Sequence, residues 1–319
     1  MVKHTNENGK IKAKKKRHTG RKILIILFLI VAIAGIIFAK RLHDLDGNWL
    51  AVLMGHNKHT LENLQEIKVL IMGESTGMSD TIIVAKYNPR TQEAALLSIP
   101  RDTFIGTSRQ SANASHKINS LYQAGVAPEK TLEAVNRITG LNIEKYILVD
   151  TKALRELVDI IGGVEFDVPI DMQYDDNDQD LHIYLAKGKQ ILDGSQAEQV
   201  SRFRHNNNGS TYPYEYGMED YGRMKTQRNL IIAIAKQTIK AKHITEIGKI
   251  IDVMKNNVKT NIDFNLMKDY LPYAINIDLN AVRTEQLPGK SEVENGIWFF
   301  FEDEEKSQQL VNELFNNAK

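Results

Sequence analysis

Residues 143–168 alternate between two hydrophobic patterns, and this alternation constrains the fold more than any other stretch of the chain. Residues 143–149 and 164–168 are short apolar runs, typical of buried strands. Between them, residues 151–161 place their apolar side chains on one face of a helix, and Gly162 and Gly163 end it. A strand, a helix and a strand in short succession predict a parallel crossover and a protein of the α/β class.

Other elements are predicted on both sides of this unit. The upstream strands are predicted at residues 67–72, 80–87 and 93–99. Turn-forming residues at 88–91 join the last two strands into a hairpin, and Pro100 leaves Arg101 and Asp102 at its end. The remaining predictions are helices at 117–124, 128–139, 228–242, 245–256, 263–273 and 303–316, and strands at 282–287 and 297–301.

The first 41 residues differ in charge from the rest of the chain. They hold 11 Lys and Arg and one Glu, whereas the remainder holds 30 basic and 39 acidic residues, a balance of −9. Residues 23–39 carry neither a charge nor a hydrogen-bonding side chain, and about 17–20 such residues match the ~30 Å hydrocarbon core of a membrane. The basic flank predicts residues 1–22 as a cytoplasmic tail, 23–39 as a single transmembrane helix and 40–65 as an extracytoplasmic linker.

Two alternatives exist for this N-terminal region. Ala32, Ile33 and Ala34 fit the cleavage site of a signal peptide, but the apolar run continues through Phe38, which favours an uncleaved anchor. The basic tail could be a nucleic-acid-binding arm. Its position next to an apolar segment favours contact with anionic lipid instead, so we expect no nucleic-acid partner.

Several classes of protein lack support in the sequence. The chain has no cysteine, so disulfides, a thiolate nucleophile and a Cys-ligated metal are excluded. It has no Walker loop, zinc-protease motif or dinucleotide fingerprint. Residues 73–77 match G-x-S-x-G, but a strand is predicted after them, whereas a serine hydrolase requires a helix there. Residues 176–180 imitate a calcium loop but lack its glycine and its final glutamate.

The segment between residues 202 and 228 concentrates arginine. In an extended backbone, Arg202 and Arg204 would lie on one face. Asp220, Arg223 and Gln227 are spaced to stack on one face of a helix. Each guanidinium group can donate two parallel hydrogen bonds to phosphate oxygens. Several arginines that converge on one place therefore suit a phosphate-rich ligand. The alternative is two solvated charge clusters on the surface.

Further charged residues are candidates for the same site. Asp80 begins a predicted strand beside the glycines at 73–77, and its carboxylate suits Mg²⁺ that bridges phosphates; the alternative is a cap at the strand start. Arg101 next to Asp102 is either part of a site or a surface ion pair. Lys117 is either a phosphate contact or a solvated lysine.

Six short motifs occur in one order along the chain. They are Ile-Pro-Arg-Asp at 99–102, Lys-Ile-Asn at 117–119, Val-Asp-Ile-Ile-Gly-Gly-Val at 158–164, Gly-x-Gln-x-Leu-Asp-Gly at 188–194, Arg-x-Arg at 202–204 and Asp-x-Gly-Arg with a later Gln at 220–227. Together with the basic tail and the apolar segment, they resemble the LytR-CpsA-Psr family of Gram-positive cell-envelope proteins. The resemblance covers about residues 66–240.

The resemblance implies a three-layer α-β-α catalytic domain with a central mixed sheet at residues 66–240, outside the cell membrane, and a C-terminal α/β extension at 241–319 packed on it. It implies a phosphotransferase or ligase that moves a glycopolymer, such as teichoic acid or capsule, from polyprenyl pyrophosphate to peptidoglycan. The implied pyrophosphate-binding residues are Arg101, Lys117, Arg202, Arg204, Arg223 and Gln227. Asp80 is the implied ligand of Mg²⁺.

The chain departs from the family pattern at two positions. Ser75 stands where the family usually has a second metal-binding aspartate, and Met78 stands where it usually has arginine. Glu74 is a candidate replacement for the missing metal ligand.

For the reaction itself, Mg²⁺ and the arginines would stabilise the leaving phosphate. We expect the catalytic residues to be Asp80, Arg101 and Asp102, with either aspartate as the base. Helices 151–161 and 228–240 could line an apolar slot for the prenyl chain. Alternative functions are hydrolysis of the lipid pyrophosphate at the same site and a non-enzymatic envelope regulator or transcriptional attenuator. A tail of 22 residues is too short for a DNA-binding fold, which disfavours the regulator.

Overall fold

The computed structural model describes residues 17–123, 128–240, 252 and 256–316, with side chains of the first helix described from Ile30 onward. These residues form two compact units that divide between Asn63 and Leu64. The first unit contains helices α1 (Arg17–Asp44), α2 (Trp49–Leu53) and α3 (Lys58–Asn63).

The predicted transmembrane segment, residues 23–39, lies within α1. Its side chains at 23–29, and residues 1–16 of the predicted tail, lie outside the described residues. Among the described residues, no helix has both the length and the apolar character needed to cross a membrane.

The second unit is built from twelve strands and six helices within the described residues. The strands are β1 (Ile67–Ser75), β2 (Met78–Asn88), β3 (Glu93–Ser98), β4 (Lys145–Asp150), β5 (Val164–Val168), β6 (Met172–Asp176), β7 (Leu181–Leu185), β8 (Gly188–Leu192), β9 (Val258–Thr260), β10 (Arg283–Gln286), β11 (Gly289–Glu294) and β12 (Ile297–Glu302). The helices are α4 (Glu129–Thr139), α5 (Thr151–Ile160), α6 (Gly194–Arg202), α7 (Glu219–Thr238), α8 (Phe264–Ala274) and α9 (Glu304–Val311), which a π-helical turn (Asn312–Asn316) extends.

A mixed sheet of six strands, in the order β10-β3-β2-β1-β4-β9, forms the centre of this unit. β1 pairs antiparallel with β2 and parallel with β4, while β3 pairs antiparallel with β2 and parallel with β10. The α/β class, the mixed sheet and the β2–β3 hairpin are therefore confirmed. The strands β9 and β10 come from the region after residue 240 and form the two edges of this sheet. The boundary at residue 240 stays a prediction, and most of the helix predicted at 245–256 lies outside the described residues.

The predicted parallel crossover between 143–149 and 164–168 is wrong. β4 pairs in parallel with β1, whereas β5 pairs antiparallel with β8 in a separate two-stranded sheet. Gly162 and Gly163 both have positive φ, 77° and 86°, and turn the chain after α5. Residues of β5 then alternate between buried and exposed, as in a strand with one solvated face.

The two faces of the central sheet carry different contacts. On one face, Leu70 and Met72 join a buried core with Val135 of α4 and with Leu314. On the other face, Ile71 lines a cavity together with α5 and α7. Because neighbouring residues of a strand point to opposite faces, a single strand, β1, supports both the core and the cavity.

The prediction of a helix at 117–124 is also wrong. The structure has a 3-10 turn at Ile118–Leu121, and Gln123 bridges Met78 as extended chain. Ile118 and Tyr122 have helical spacing, but both are fixed by complete burial in the core. In contrast, α4 is confirmed, with Gly140 at φ 67° as its left-handed cap.

Candidate functional site

A cavity of about 450 Å³ lies at the carboxyl ends of the parallel strands β1 and β4. Its interior is apolar, because α5 contributes Leu154 and Leu157 and α7 contributes Leu230, Ile231 and Ile234. Both helices predicted to line an apolar slot therefore do so.

The mouth of the cavity is polar and largely cationic. It is lined by Glu74, Ser75, Asp80, Arg101, Arg202, Arg204, His205, Arg223 and Gln227. Seven of the nine residues predicted for the site thus meet in one place, although they come from segments more than 150 residues apart. The other two, Asp102 and Lys117, are not among the described residues that line the cavity.

Two arginines at the mouth pair with two carboxylates, and one of these, Asp220, contacts both arginines. Arg101 Nη1 donates a hydrogen bond of 2.5 Å to Asp80 Oδ1. Asp220 Oδ1 lies 2.6 Å from Arg223 Nη2 and 4.0 Å from Arg101 Nε. Burial opposes the charge of Arg101, but Asp220 and Asp80 outweigh it and raise its pKa. The predicted stacking of Asp220, Arg223 and Gln227 on one helix is confirmed, since all three lie on α7.

Arg223 is the most buried of these cations, with 5% of the residue exposed. Burial lowers the pKa of its guanidinium, and the charges of Arg101 and Arg204 act in the same direction, against Asp220. Its Nε and Nη2 make no hydrogen bond to any described residue, because the contact with Asp220 lacks the required geometry. Buried donors without a partner are rare, and here they lie at a cavity where an anion could accept from them.

Arg202 and Arg204 do not share an extended segment as predicted. Arg202 is the last residue of α6, where its guanidinium lies 3.2 Å from Glu198 Oε1 and donates to Gln179 Oε1 at 3.1 Å. Arg204 lies beyond the helix end and pairs with Glu219 at 2.9 Å. Because Arg202 is helical and Arg204 is not, the two side chains do not project in parallel as they would from an extended strand. Both nevertheless line the cavity.

Gln227 links α7 to the end of α6. Its Nε2 donates a hydrogen bond of 2.9 Å to the carbonyl oxygen of Ser201, the residue before Arg202. This contact fixes the helix end that carries Arg202 at the cavity mouth.

Lys117 and Asp102 pair with each other. Lys117 Nζ lies 2.8 Å from Asp102 Oδ1, and the backbone N–H of Asn119 donates to the carbonyl oxygen of Arg101. The pair therefore braces the segment that carries Arg101. Direct roles for Lys117 and Asp102 in the reaction stay predictions.

The carboxylates at the mouth fit a partial metal site. Asp80 uses Oδ1 for Arg101, and Glu74 uses Oε2 to accept a 2.5 Å hydrogen bond from the hydroxyl of Tyr122. Each keeps a second oxygen without a hydrogen bond to a described residue. Within the described part of the chain, no group of three or more His, Asp or Glu could hold a metal. Two hard oxygen ligands suit Mg²⁺ when phosphate oxygens and water complete its shell.

A nucleophilic serine at this mouth is not supported. After Ser75 the chain turns through Thr76 and Gly77, at φ 53° and 85°, directly into β2. No helix follows the serine, so the nucleophile elbow of a serine hydrolase is not formed.

Three contributors at the mouth were missed in the sequence. Glu198 could have been found, because it precedes Arg202 by four residues, which is the spacing of an ion pair along one face of a helix. His205 and Tyr174 could not, because they meet only when the β6–β7 hairpin folds over the end of α6; their ring centroids are 5.5 Å apart.

The fold and the site together define an α/β protein with an amphipathic cavity, whose apolar interior and cationic mouth suit a phosphate-bearing lipid. The LytR_cpsA_psr family model matches residues 43–316, and the chain belongs to this family.

Similar proteins are found in Enterococcus faecalis and Bacillus subtilis. The teichoic acid transferase TagU of Enterococcus faecalis is 27% identical, over 93% of this chain and 97% of its own length. TagV of Bacillus subtilis, a protein of the same named activity, is 28% identical over 75% of this chain, which spans only 62% of TagV. The crystal structure of B. subtilis TagV superposes with a TM-score of 0.62 at 26% identity, covering 80% of this chain and 99% of that one.

Proposed function

We propose that this protein transfers a glycopolymer, of the teichoic acid, capsule or polysaccharide type, from a polyprenyl-pyrophosphate carrier to peptidoglycan. The names of the TagU and TagV proteins, polyisoprenyl-teichoic acid–peptidoglycan transferases, support this proposal. The observation that carries it is the position of Arg223: this buried arginine borders a cavity with an apolar interior, and two of its guanidinium nitrogens donate no hydrogen bond to a described residue.

The two parts of the cavity match the two parts of such a donor. The prenyl chain would lie between α5 and α7, where burial of apolar surface contributes roughly 25 cal/mol per Å². The pyrophosphate would lie at the mouth, where Arg101, Arg202, Arg204 and Arg223 supply donors of fixed direction. The reacting phosphate is thereby held between the lipid slot and solvent, where an acceptor can approach.

The residues at the mouth would act mainly by electrostatic stabilisation. An acceptor hydroxyl of peptidoglycan attacks the phosphorus attached to the glycopolymer, the bond between the two phosphates breaks, and polyprenyl phosphate leaves. Negative charge develops on the leaving phosphate, and preorganised arginines stabilise it without reorganisation. Arg202, held by Glu198, and Arg101, held by Asp80, are oriented before the ligand binds.

We propose Mg²⁺ as the cofactor, with Asp80 and Glu74 as its ligands from the protein. When bound, the ion would neutralise charge on the phosphate oxygens. Tyr122 holds one oxygen of Glu74, so this side chain has a fixed direction at the position where Ser75 offers no carboxylate.

We further propose that α1 crosses the cell membrane through residues 23–39, with the N-terminus in the cytoplasm and the second unit outside. The exposed side chains of Ile30, Ile33, Ile37 and Phe38 support this proposal. For the second unit we propose three layers. Helices α5 and α7 would cover one face of the sheet, and α4 with the C-terminal helix would cover the other.

The test is a transfer assay with lipid-linked glycopolymer and purified peptidoglycan. The change of Arg202 and Arg204 to Ala together should abolish transfer and leave the thermal melt nearly unchanged. Arg90→Ala, at an exposed turn between β2 and β3, is the matched control and should transfer like wild type. Transfer by the double variant at the wild-type rate would contradict the proposal. Release of free polymer by the wild type, with none attached to peptidoglycan, would indicate the hydrolase instead.

A further inference from the structure

The reaction needs a base for the acceptor hydroxyl, and the two aspartates expected in that role are engaged elsewhere. Asp80 accepts a 2.5 Å hydrogen bond from Arg101, and Asp102 lies 2.8 Å from Lys117 and does not line the cavity among the described residues. In each carboxylate the oxygen that contacts the cation is already occupied. Among the described residues that line the cavity, His205 is the only histidine.

The hydrogen bond of the His205 ring determines which nitrogen can accept a proton. Nδ1 lies 3.1 Å from the carbonyl oxygen of Asn206. A carbonyl oxygen can only accept, so Nδ1 must carry the proton. In the neutral ring Nε2 is then the unprotonated nitrogen, and it makes no hydrogen bond to any described residue. This tautomer is the one that a base acting through Nε2 requires.

The position of the ring is fixed from several sides. Tyr174 of β6 packs edge-on against it, with an interplanar angle of 90°. The backbone of His205 bridges Thr211 across its loop. The side chain of Asn206 accepts from the backbone N–H of Gln173 at 2.6 Å and donates to the carbonyl oxygen of Asp171 at 3.2 Å. The histidine is therefore tied to β6 and to its own loop, as a preorganised catalytic group must be.

We propose that His205 is the catalytic base that accepts the proton of the acceptor hydroxyl through Nε2. As the hydroxyl oxygen bonds to phosphorus, its proton moves to Nε2, and the electron pair of the breaking bond leaves with polyprenyl phosphate. The imidazolium then returns the proton to solvent. This role rests on the proposed function, because it requires the arginines next to His205 to hold the phosphate under attack.

Chemical rescue tests this role directly. His205→Ala should lower kcat for transfer by about 100-fold or more, the contribution typical of a general base. The binding affinity for lipid pyrophosphate, measured by calorimetry, should stay within about twofold of wild type. Added imidazole should restore a saturable part of kcat, because it can occupy the space of the deleted ring; a purely structural role would not respond to it. His205→Gln, close in size, should be slow without rescue.

His182→Gln is the matched control, since His182 is half exposed on the β6–β7 hairpin, outside the cavity. It should transfer at the wild-type rate. A His205→Ala variant with wild-type kcat, or one that is slow and gains nothing from imidazole, would overturn the role of His205. A wild-type protein that binds no lipid pyrophosphate and transfers nothing would instead overturn the proposed function.

Discussion

Replacement of Arg223 by methionine should separate ligand binding from stability. The guanidinium is almost fully buried, and burial lowers its pKa despite the carboxylate of Asp220 at 2.6 Å. The surroundings of Arg223 therefore disfavour its charge in the free protein. Replacing a whole buried ion pair by apolar side chains of similar volume is often neutral or stabilising by about 1–4 kcal/mol, whereas removing one partner is strongly destabilising when the other charge is left buried and uncompensated. Asp220 keeps Arg101 as a neighbour at 4.0 Å and is partly exposed, so it is not left without a counter-charge.

The same change should weaken the binding of lipid pyrophosphate. Arg223 offers two buried nitrogens that donate no hydrogen bond to a described residue, and a hydrogen bond to a charged group is worth about 1.5–3 kcal/mol. The loss of one such bond raises Kd by about 10- to 150-fold. Calorimetric titration with a short-chain polyprenyl pyrophosphate, alongside a thermal melt without ligand, measures both quantities on one protein sample.

Arg228→Met is the matched control for Arg223→Met. Arg228 is also buried, burial also lowers its pKa, and it lies on the same helix, but it donates to Ser98 Oγ at 2.7 Å, away from the cavity. Its replacement should leave Kd unchanged. A variant Arg223→Met that melts several degrees lower and binds the lipid like wild type would refute the reasoning, because Arg223 would then serve the fold alone.

Three other predictions concern the metal, a surface pair and the topology. Mg²⁺ titrated into the purified protein should bind weakly alone and more tightly with lipid pyrophosphate; Asp80→Ala should abolish that gain and Glu74→Gln should reduce it, and equal affinity in all three proteins would exclude these ligands. The hydrogen bond that His182 Nδ1 donates to Asp175 raises the pKa of His182 above 6.5, so the pair's stabilising contribution is present below that pH and is lost as pH rises through the raised value. NMR titration should show this midpoint, and Asp175→Asn should lower it; an unchanged midpoint would contradict the pairing. Protease added to intact protoplasts should digest the residues beyond 42, and survival of that part would contradict the proposed topology.

Local patterns in the sequence were sufficient for many elements and for most of the residues that line the mouth of the cavity. The β2–β3 hairpin follows from its turn residues, and α4 follows from Pro128 at its start and Gly140 at its end. The spacing of Asp220, Arg223 and Gln227 on α7 needs only the period of a helix.

Pairings between distant segments could not be read from the sequence. The pattern of β5 shows that one of its faces is buried, but its antiparallel partner β8 lies beyond an intervening hairpin, so the assumed parallel crossover was wrong. The ion-pair partners of charged residues could not be predicted from the sequence either. The sequence does not show that Asp102 is neutralised by Lys117, or that Asp220 lies between two arginines, because those contacts depend on where loops meet.

The central claim is that one cavity holds the lipid in its interior and the phosphates at its mouth. Photo-crosslinking with a polyprenyl pyrophosphate that carries a diazirine on the prenyl chain tests it most directly, with labelled peptides identified by mass spectrometry. We predict labelling of Leu154 and Leu157 on α5 and of Ile231 and Ile234 on α7. Excess unlabelled lipid pyrophosphate should suppress this labelling, and Arg223→Met should reduce it. Labelling confined to other surfaces of the second unit, unchanged by the competitor, would contradict the claim.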